Sequence, residues 1–495
     1  MHQSYRRYGS SQLYRRRSSL VSRKPIAVSL FSGGGGLDIG LEDAGFDVRC
    51  AVEWNKHACE TLRVNKQLSS ASEAWFNEWF DRVIASDYGR WEGERVRRVK
   101  ERVKKGLRSH AYLRECAIIE ADIRKTPTET ILDAARAKAG EIDLVAGGPP
   151  CQSFSRSGQR KSVDDDRGQL FTEFVRVVRD IRPRWFLFEN VKGLILTKTT
   201  IWKVVCSDCG IERIPPFEVE RQIPTDNHPT AICEECGSPK THWRIEANKR
   251  AGALELIMSE FERIGYHCKA HMLNAVDYGA PQLRERLIIF GSRDNEIIRP
   301  PAKTHFPHEY VMDKGEVLLK QRTLWDALFS EPNPNHHWPL DPNVAVLWVK
   351  NVVRPHDEPV TWTLIRPSPT IGAHQSAKLA VAPFGVPPEQ LTRQQWHVLG
   401  RRQGDTKPVP VEHTYLSDAD LLKLQTFPDF WFVAGTRMER AFQIGNAVPP
   451  LLAQTVATSI LNSSTSAITL CTSKKSEADS RKEQQNQQLQ MFELS

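Results

Sequence analysis

Cys151 stands behind two glycines and two prolines in GGPPCQSFS (147–155). A thiol in that setting can fill a core, hold a metal, close a disulfide or attack a carbon. Its flanks narrow the choice. The apolar run EIDLVAGG (141–148) reads as a strand, and the two prolines fix φ so that the chain does not pass at once into helix. Cys151 is therefore expected to face outward at the carboxyl edge of a sheet. A helix start close by would lower the thiol pKa and favour thiolate. A filler cysteine would sit within an apolar run instead.

Other chemistry-bearing residues converge on the same edge. The run WFLFEN (185–190) carries Glu189 at its end. In YGAPQLRERLIIFG (278–291), Gln282, Arg284 and Arg286 alternate ahead of a strand, which puts the three side chains on one face. Paired arginines in that position suit a carboxylate or another anion.

A glycine turn completes the set. PIAVSLF (25–31) leads into FSGGGGLDIG (31–40), where consecutive glycines let backbone approach a ligand with no Cβ in the way. DVRCAVEW (47–54) ends at Glu53, twenty residues beyond Gly33, where nucleotide-binding sheets place an acceptor for ribose hydroxyls. Trp54 can stack on an adenine, and Asp122 closes the next run, CAIIEAD (116–122). A dinucleotide or S-adenosylmethionine fits such a crevice. The glycines do not follow GxGxxG and no cation stands ready for a pyrophosphate, which favours the sulfonium compound.

The elements that must position these residues alternate regularly. Helical stretches at 37–45, 56–67, 168–181 and 250–264 separate the strand candidates, and RLIIFGS (286–292) supplies the last strand. That rhythm predicts an α/β chain with a mostly parallel, doubly wound sheet. Residues 68–114 interrupt it, with RVRRVKERVKKGLR (95–108) placing Val96, Val99, Val103 and Leu107 on one helical face. A solvated helix and a DNA-contacting one both fit its basic remainder. Residues 200–245 form the second interruption. There Cys206 and Cys209, then Cys233 and Cys236, make two CxxC pairs, each followed by glycine, with twenty-three residues between. Two such knuckles supply four thiolates at tetrahedral geometry, which predicts a structural zinc with no open position.

Bulk properties set the frame. The chain has 495 residues, enough for two or three domains, and no apolar run long enough to cross a bilayer. Its net charge is +8, but residues 1–24 hold seven cations and no acid, so a polyanion site elsewhere must be a local patch. That leader reads as a disordered basic arm or as a transit peptide. Ten cysteines, four of them in CxxC pairs, do not read as a disulfide framework in a chain this large, and a reducing compartment fits better. Residues 463–495 are polar and low in complexity, and are expected to be disordered.

Taken in order, FSGGGG, VEWN, ADI, GGPPCQSFS, ENV, QLRER, RPSPTI (366–371) and QIGNAVPP (443–450) resemble the cytosine-C5 DNA methyltransferase family over roughly 24–462. The resemblance implies an S-adenosylmethionine-dependent methyltransferase sheet over 25–292, carrying the insertions 68–114 and 200–245. It implies a smaller, irregular target-recognition region at 293–412 and a segment, 413–462, that returns to the catalytic domain. Cys151 then looks like the nucleophile that adds to C6 of a flipped-out cytosine, with Glu189 on the exocyclic amine and N3. Arg284 would steady the base carbonyl and Glu189, and Gln282 joins the same catalytic set. Phe31, Gly33, Gly34, Gly36, Glu53, Trp54, Asp122, Ile123, Pro149 and Leu170 would line the cofactor pocket, completed by Asn446.

The same resemblance implies double-stranded DNA as substrate and a bacterial cytoplasmic setting at the nucleoid. A restriction endonuclease acting on the same site is the usual companion of the family's bacterial members, which the sequence does not disclose for this chain, and a monomer is the default expectation. The polar loop SRSGQRKSVDDDRG (155–168) is a lid candidate. The zinc-ribbon-like insertion directly after ENV departs from the family pattern. The recognition region does not disclose its target, and Arg401 and Arg402 fit either phosphate contacts or a solvated turn. A transfer-RNA-methylating relative and a silent DNA-binding module are the rival readings, the second opposed by the presence of Cys151, Glu189, Gln282 and Arg284.

Overall fold

The computed structural model describes residues 23–87, 112–150, 170–196, 201–213, 253–307 and 413–463, with shorter pieces within 97–104, 236–248, 310–329 and 345–381. Residues 1–22, residues 151–169 with Cys151, Cys233, Arg401, Arg402 and residues 464–495 lie outside the described residues.

Seven strands build the central sheet: β1 (Ile26–Leu30), β2 (Asp47–Glu53), β3 (Ala117–Glu120), β4 (Leu144–Gly147), β5 (Trp185–Val191), β6 (His267–Asn274) and β7 (Glu285–Ser292). Their spatial order is β3-β2-β1-β4-β5-β7-β6. β1 to β5 pair in parallel, whereas β7 runs antiparallel to both β5 and β6. The chain order reverses between β1 and β4, the position at which open α/β sheets leave a crevice at the strand carboxyl ends. The mostly parallel doubly wound sheet expected from the sequence is thus present. β6 was not foreseen: its residues HCKAHMLN are mostly half-buried or exposed and give no apolar run.

Side-chain alternation divides the sheet into two buried faces. Ala27, Val48, Ala51, Leu144, Ala146, Leu187, Ile288 and Phe290 face one cluster, shared with α1 (Gly36–Ala44) and with the carboxyl-terminal segment. Ile26, Val28, Leu30, Cys50, Val52, Val145, Phe186, Phe188, Leu287 and Ile289 face the other. α5 (Leu170–Ile181) and α6 (Ala253–Arg263) cover that second face with the fully buried Phe174 and Phe261. Phe261 stacks on Phe186 with ring centroids 3.9 Å apart. Truncating either ring to alanine is expected to cost about 3–5 kcal/mol.

α2 (Lys56–Leu68) starts directly at the end of β2, where the Asn55 side chain accepts from the His57 and Ala58 amides at 3.0 and 3.1 Å. α3 (Glu73–Asp87) lies in the first insertion, ahead of the helical face expected over 95–108. Its Phe76, Trp79 and Phe80 form a separate aromatic cluster that reaches Phe430 and Phe432. α4 (Thr128–Ala135) follows β3 and packs Ile131 under the sheet. In the carboxyl-terminal segment, α7 (Asp418–Leu424), α8 (Arg437–Asn446) and a helix over 450–463 close the first face.

Smaller sheets lie outside the central one. Ile201–Cys206 pairs with Glu212–Arg213 and Trp243–Asn248 in a three-stranded antiparallel sheet. Val360–Thr363, Ala345–Val349, Ala377–Val381 and His413–Tyr415 form a four-stranded antiparallel sheet whose last strand comes from beyond residue 412. Among the described residues, no helix is long and apolar enough to cross a membrane.

Candidate active site

Strand pairing brings the glycine turn, the PP turn and Glu189 to one sheet edge. β1 is followed by Phe31, which takes φ +57° and bonds its amide to the Val52 carbonyl at 2.9 Å. The chain then turns so that the Gly33 amide donates to Glu53 Oε2 at 2.8 Å. Glu53 Oε1 accepts from the Trp54 and Asn55 amides at 2.9 and 2.8 Å. Three N–H donors occupy three of the four acceptor sites of this buried carboxylate. One acceptor site is left for a hydroxyl, while Trp54 projects beside it, 70% exposed. Burial raises the Glu53 pKa, and the three backbone donors oppose that rise.

The other residues expected at the cofactor have distinct settings. Gly34 lends its carbonyl to Trp431 Nε1 at 3.0 Å. Gly36 packs α1 against the carboxyl-terminal segment: a Cβ there would lie 2.3 Å from the Val448 carbonyl oxygen. Asp122 caps a short turn by accepting from the Arg124 amide and pairs with the Arg124 guanidinium at 2.6 Å, which holds its carboxyl below the usual range. Ile123 is buried in the second face, Leu170 is half-buried against it, and Asn446 is exposed at the end of α8.

β4 leads to Gly148, where an added Cβ would sit 2.6 Å from Glu189 Oε2. Only glycine lets the PP turn lie this close to the carboxylate. Asn190 Nδ2 donates to the Pro149 carbonyl at 3.1 Å and fixes the turn from the β5 side. Gly148 and Pro149, which precede Pro150 and Cys151 in the sequence, thus lie beside Glu189 and Asn190.

Glu189 pairs with Arg286, not with Arg284. Arg286 Nε lies 2.8 Å from Glu189 Oε1, and both side chains are about nine-tenths buried. Burial raises the Glu189 pKa, opposed first by Arg286 and then by Arg284. Arg284 is fully buried and holds backbone carbonyls instead: Ile371 at 3.1 Å, Gly445 at 2.7 Å and Ala447 at 2.8 Å. Gln282 is equally enclosed, accepting from the Ile371 amide at 3.1 Å and donating to the Leu424 carbonyl at 3.3 Å. The expectation that Arg284 steadies Glu189 directly is corrected on this point. Alternation along QLRER did signal Arg286; the across-sheet pairing with β5 decides which arginine meets the acid.

A cavity of about 460 Å³ opens beside Arg286, lined by Val191, Lys192, Asn274, Leu283, Glu285 and Thr370. Lys192 and Glu285 pair across its rim at 2.7 Å. Arg286 thus borders this open volume while its Nε holds the buried Glu189 carboxylate.

A profile of the C-5 cytosine-specific DNA methylase family matches residues 27–76, 110–209 and 244–462. The chain belongs to this family. It is accordingly a DNA cytosine methyltransferase that draws its methyl group from S-adenosylmethionine. It is similar to Type II methyltransferase M.AquIA of Picosynechococcus, 31% identical over 62% of this chain and 88% of that protein. Type II methyltransferase M1.HphI of Haemophilus parahaemolyticus is 27% identical over 88% of this chain and 87% of its own. The solved S. pombe Dnmt2 methyltransferase aligns with TM-score 0.43 at 14% identity, over 89% of this chain and 98% of that one.

Three of the four expected zinc ligands are described. The sulfurs of Cys206, Cys209 and Cys236 lie within 4.8 Å of one another, with Cys206 and Cys236 at 3.7 Å. A tetrahedron with spokes of about 2.3 Å has edges of about 3.8 Å, which the Cys206–Cys236 separation matches. The knuckle is shaped by the Gly210 amide bonding to the Cys206 carbonyl at 2.9 Å.

Proposed function

We propose that this methyltransferase modifies a specific double-stranded DNA sequence through a covalent adduct between Cys151 and C6 of a flipped-out cytosine. The observation that carries the reading is the buried Glu189–Arg286 pair set against Gly148, within three residues of Cys151. An unactivated pyrimidine carbon does not attack a sulfonium methyl, so a nucleophile that first saturates C6 splits one hard step into easier ones. The base must leave the stack for the thiol to reach it.

Glu189, whose pKa is raised by burial, carries a proton to N3 and accepts from the exocyclic amine. Arg286 orients that carboxyl and offers its remaining N–H groups to the base carbonyl. The Cys151 thiolate adds to C6, C5 becomes nucleophilic and is methylated, and loss of the C5 proton expels the thiolate. S-adenosylmethionine, when bound, supplies the methyl group. Glu53 would take its ribose hydroxyl, Trp54 its adenine, and Phe31, Gly33, Gly34, Gly36, Asp122, Ile123, Pro149, Leu170 and Asn446 the remainder of its envelope.

Cys206, Cys209, Cys233 and Cys236 hold a structural zinc in this reading, supported by the sulfur spacing of the three described ligands. The two relatives are named Type II methyltransferases, which supports a modification role beside a restriction endonuclease in a bacterial cytoplasm. The enzyme acts as a monomer on its DNA.

Tritiated S-adenosylmethionine offered with unmethylated genomic DNA, and with transfer RNA in parallel, tests the reading. Label recovered as 5-methylcytosine at one recurring DNA sequence is the expected result. Label confined to the RNA would overturn the choice of substrate.

A further inference from the structure

We propose that Arg284 is a positioning residue that holds Asn446 in the cofactor pocket, and that it makes no contact with the target base. The inference rests on the cofactor reading of Asn446 given above. An α-helix leaves its last four carbonyls without intrahelical partners. At the end of α8, Gln425 Nε2 takes the Ile444 carbonyl at 2.8 Å, and Arg284 Nη2 takes those of Gly445 and Ala447 at 2.7 and 2.8 Å. The two carbonyls gripped by one guanidinium nitrogen flank Asn446 on both sides. Asn446 itself is exposed, so its direction depends on this backbone and not on packing of its side chain.

The same guanidinium reaches a third segment. Its Nη1 holds the Ile371 carbonyl at 3.1 Å, at the end of RPSPTI, and Gln282 accepts from the Ile371 amide. The Ser368 amide donates to the Pro281 carbonyl and the Leu283 amide to the Ser368 carbonyl, at 2.8 and 2.7 Å. Arg284 thus ties the start of β7, which bears Arg286, to the exit of α8 and to the edge of the recognition region. With no exposed surface, it has no route to a base. A cation is suited to this place, because helix carboxyl ends carry partial negative charge. The planar fork matters as well: lysine offers a compact ammonium that does not reach carbonyls lying on two sides.

The test is steady-state kinetics of Arg284→Lys with calorimetric binding of S-adenosylmethionine, alone and combined with Asn446→Ala. The expected result is a rise of about tenfold in both KM and Kd for S-adenosylmethionine, with kcat at saturation changed less than about threefold. Because Arg284 acts through Asn446, the double variant should bind no more weakly than the weaker single one. A kcat loss of about a hundredfold with KM unchanged would overturn the proposal in favour of a base contact. Multiplying effects in the double variant would overturn it too. Should Arg284→Lys not fold, Gln425→Ala frees the adjacent Ile444 carbonyl, and a KM rise of about threefold with kcat retained is expected; an unchanged KM there contradicts the proposal. Wild-type methyl transfer to DNA, measured alongside, fails only if the functional reading fails, which separates the two.

Discussion

Arg286 Nε sits 2.8 Å from Glu189 Oε1 across the antiparallel pairing of β5 and β7, with both groups about nine-tenths buried. An acid in such a place is pulled in opposite directions. Loss of water favours its neutral form, while the neighbouring guanidinium favours the ionised one, and burial prevails. The carboxyl thereby keeps its proton, and can donate it to a ring nitrogen, to higher pH than an ordinary carboxyl does.

This balance predicts the alkaline side of the pH–rate profile. Protonated Glu189 is the active form, so the rate constant for methyl transfer falls as pH rises through its elevated pKa. Glu189→Gln should lower single-turnover rates by about two to three orders of magnitude and abolish that alkaline limb. A limb that persists in the variant would assign it to another group.

Replacing Arg286 tests the opposing pull. Arg286→Ala removes the cation that restrains Glu189, so the alkaline limb moves to higher pH. It also leaves a buried acid without its partner, for which a stability loss of about 3 kcal/mol in urea unfolding is expected. Arg284→Lys should leave the limb where it is.

Much of this was legible in the sequence, and the misses share a cause. β1, β2, β4, β5 and β7 announce themselves as apolar runs, because strands buried on both faces carry no polar alternation. β6 lies at the sheet edge and α3 docks its aromatic residues on Phe430 and Phe432, more than three hundred positions away, so neither has a complete local signature. The site divides in the same way. The residue types at the strand ends follow from chemistry read along the chain. The division of labour between Arg284 and Arg286 does not, since it depends on carbonyls of residues 371, 445 and 447.

A second buried acid gives a stability prediction. Asp38 in α1 is fully buried, and desolvation, opposed by the Ser29 and Ser32 hydroxyls and its own backbone amide, pushes its pKa up to about 6. The folded state therefore keeps a proton that the unfolded chain releases near 3.8, and stability falls as pH rises from about 4 to about 6. Asp38→Asn should flatten that slope and raise stability at pH 7 by about 3 kcal/mol at most. Urea titrations at pH 4.5 and pH 7 check it, and an equal effect at both would contradict it.

Zinc analysis of the purified protein should find one equivalent per chain. Cys206→Ser should lower both the metal content and the melting temperature, because four-thiolate zinc contributes folding free energy directly. Metal-free wild-type protein with an unchanged melting curve would show that the cysteines hold no zinc.

Trapping on DNA containing 5-fluorocytosine tests the central claim most directly, since fluorine at C5 blocks the proton loss that frees the thiol. With S-adenosylmethionine present, the wild-type enzyme should form a denaturant-resistant complex attached through Cys151, and Cys151→Ser should form none. A stable complex with Cys151→Ser, or attachment mapped to any other residue, would contradict the account.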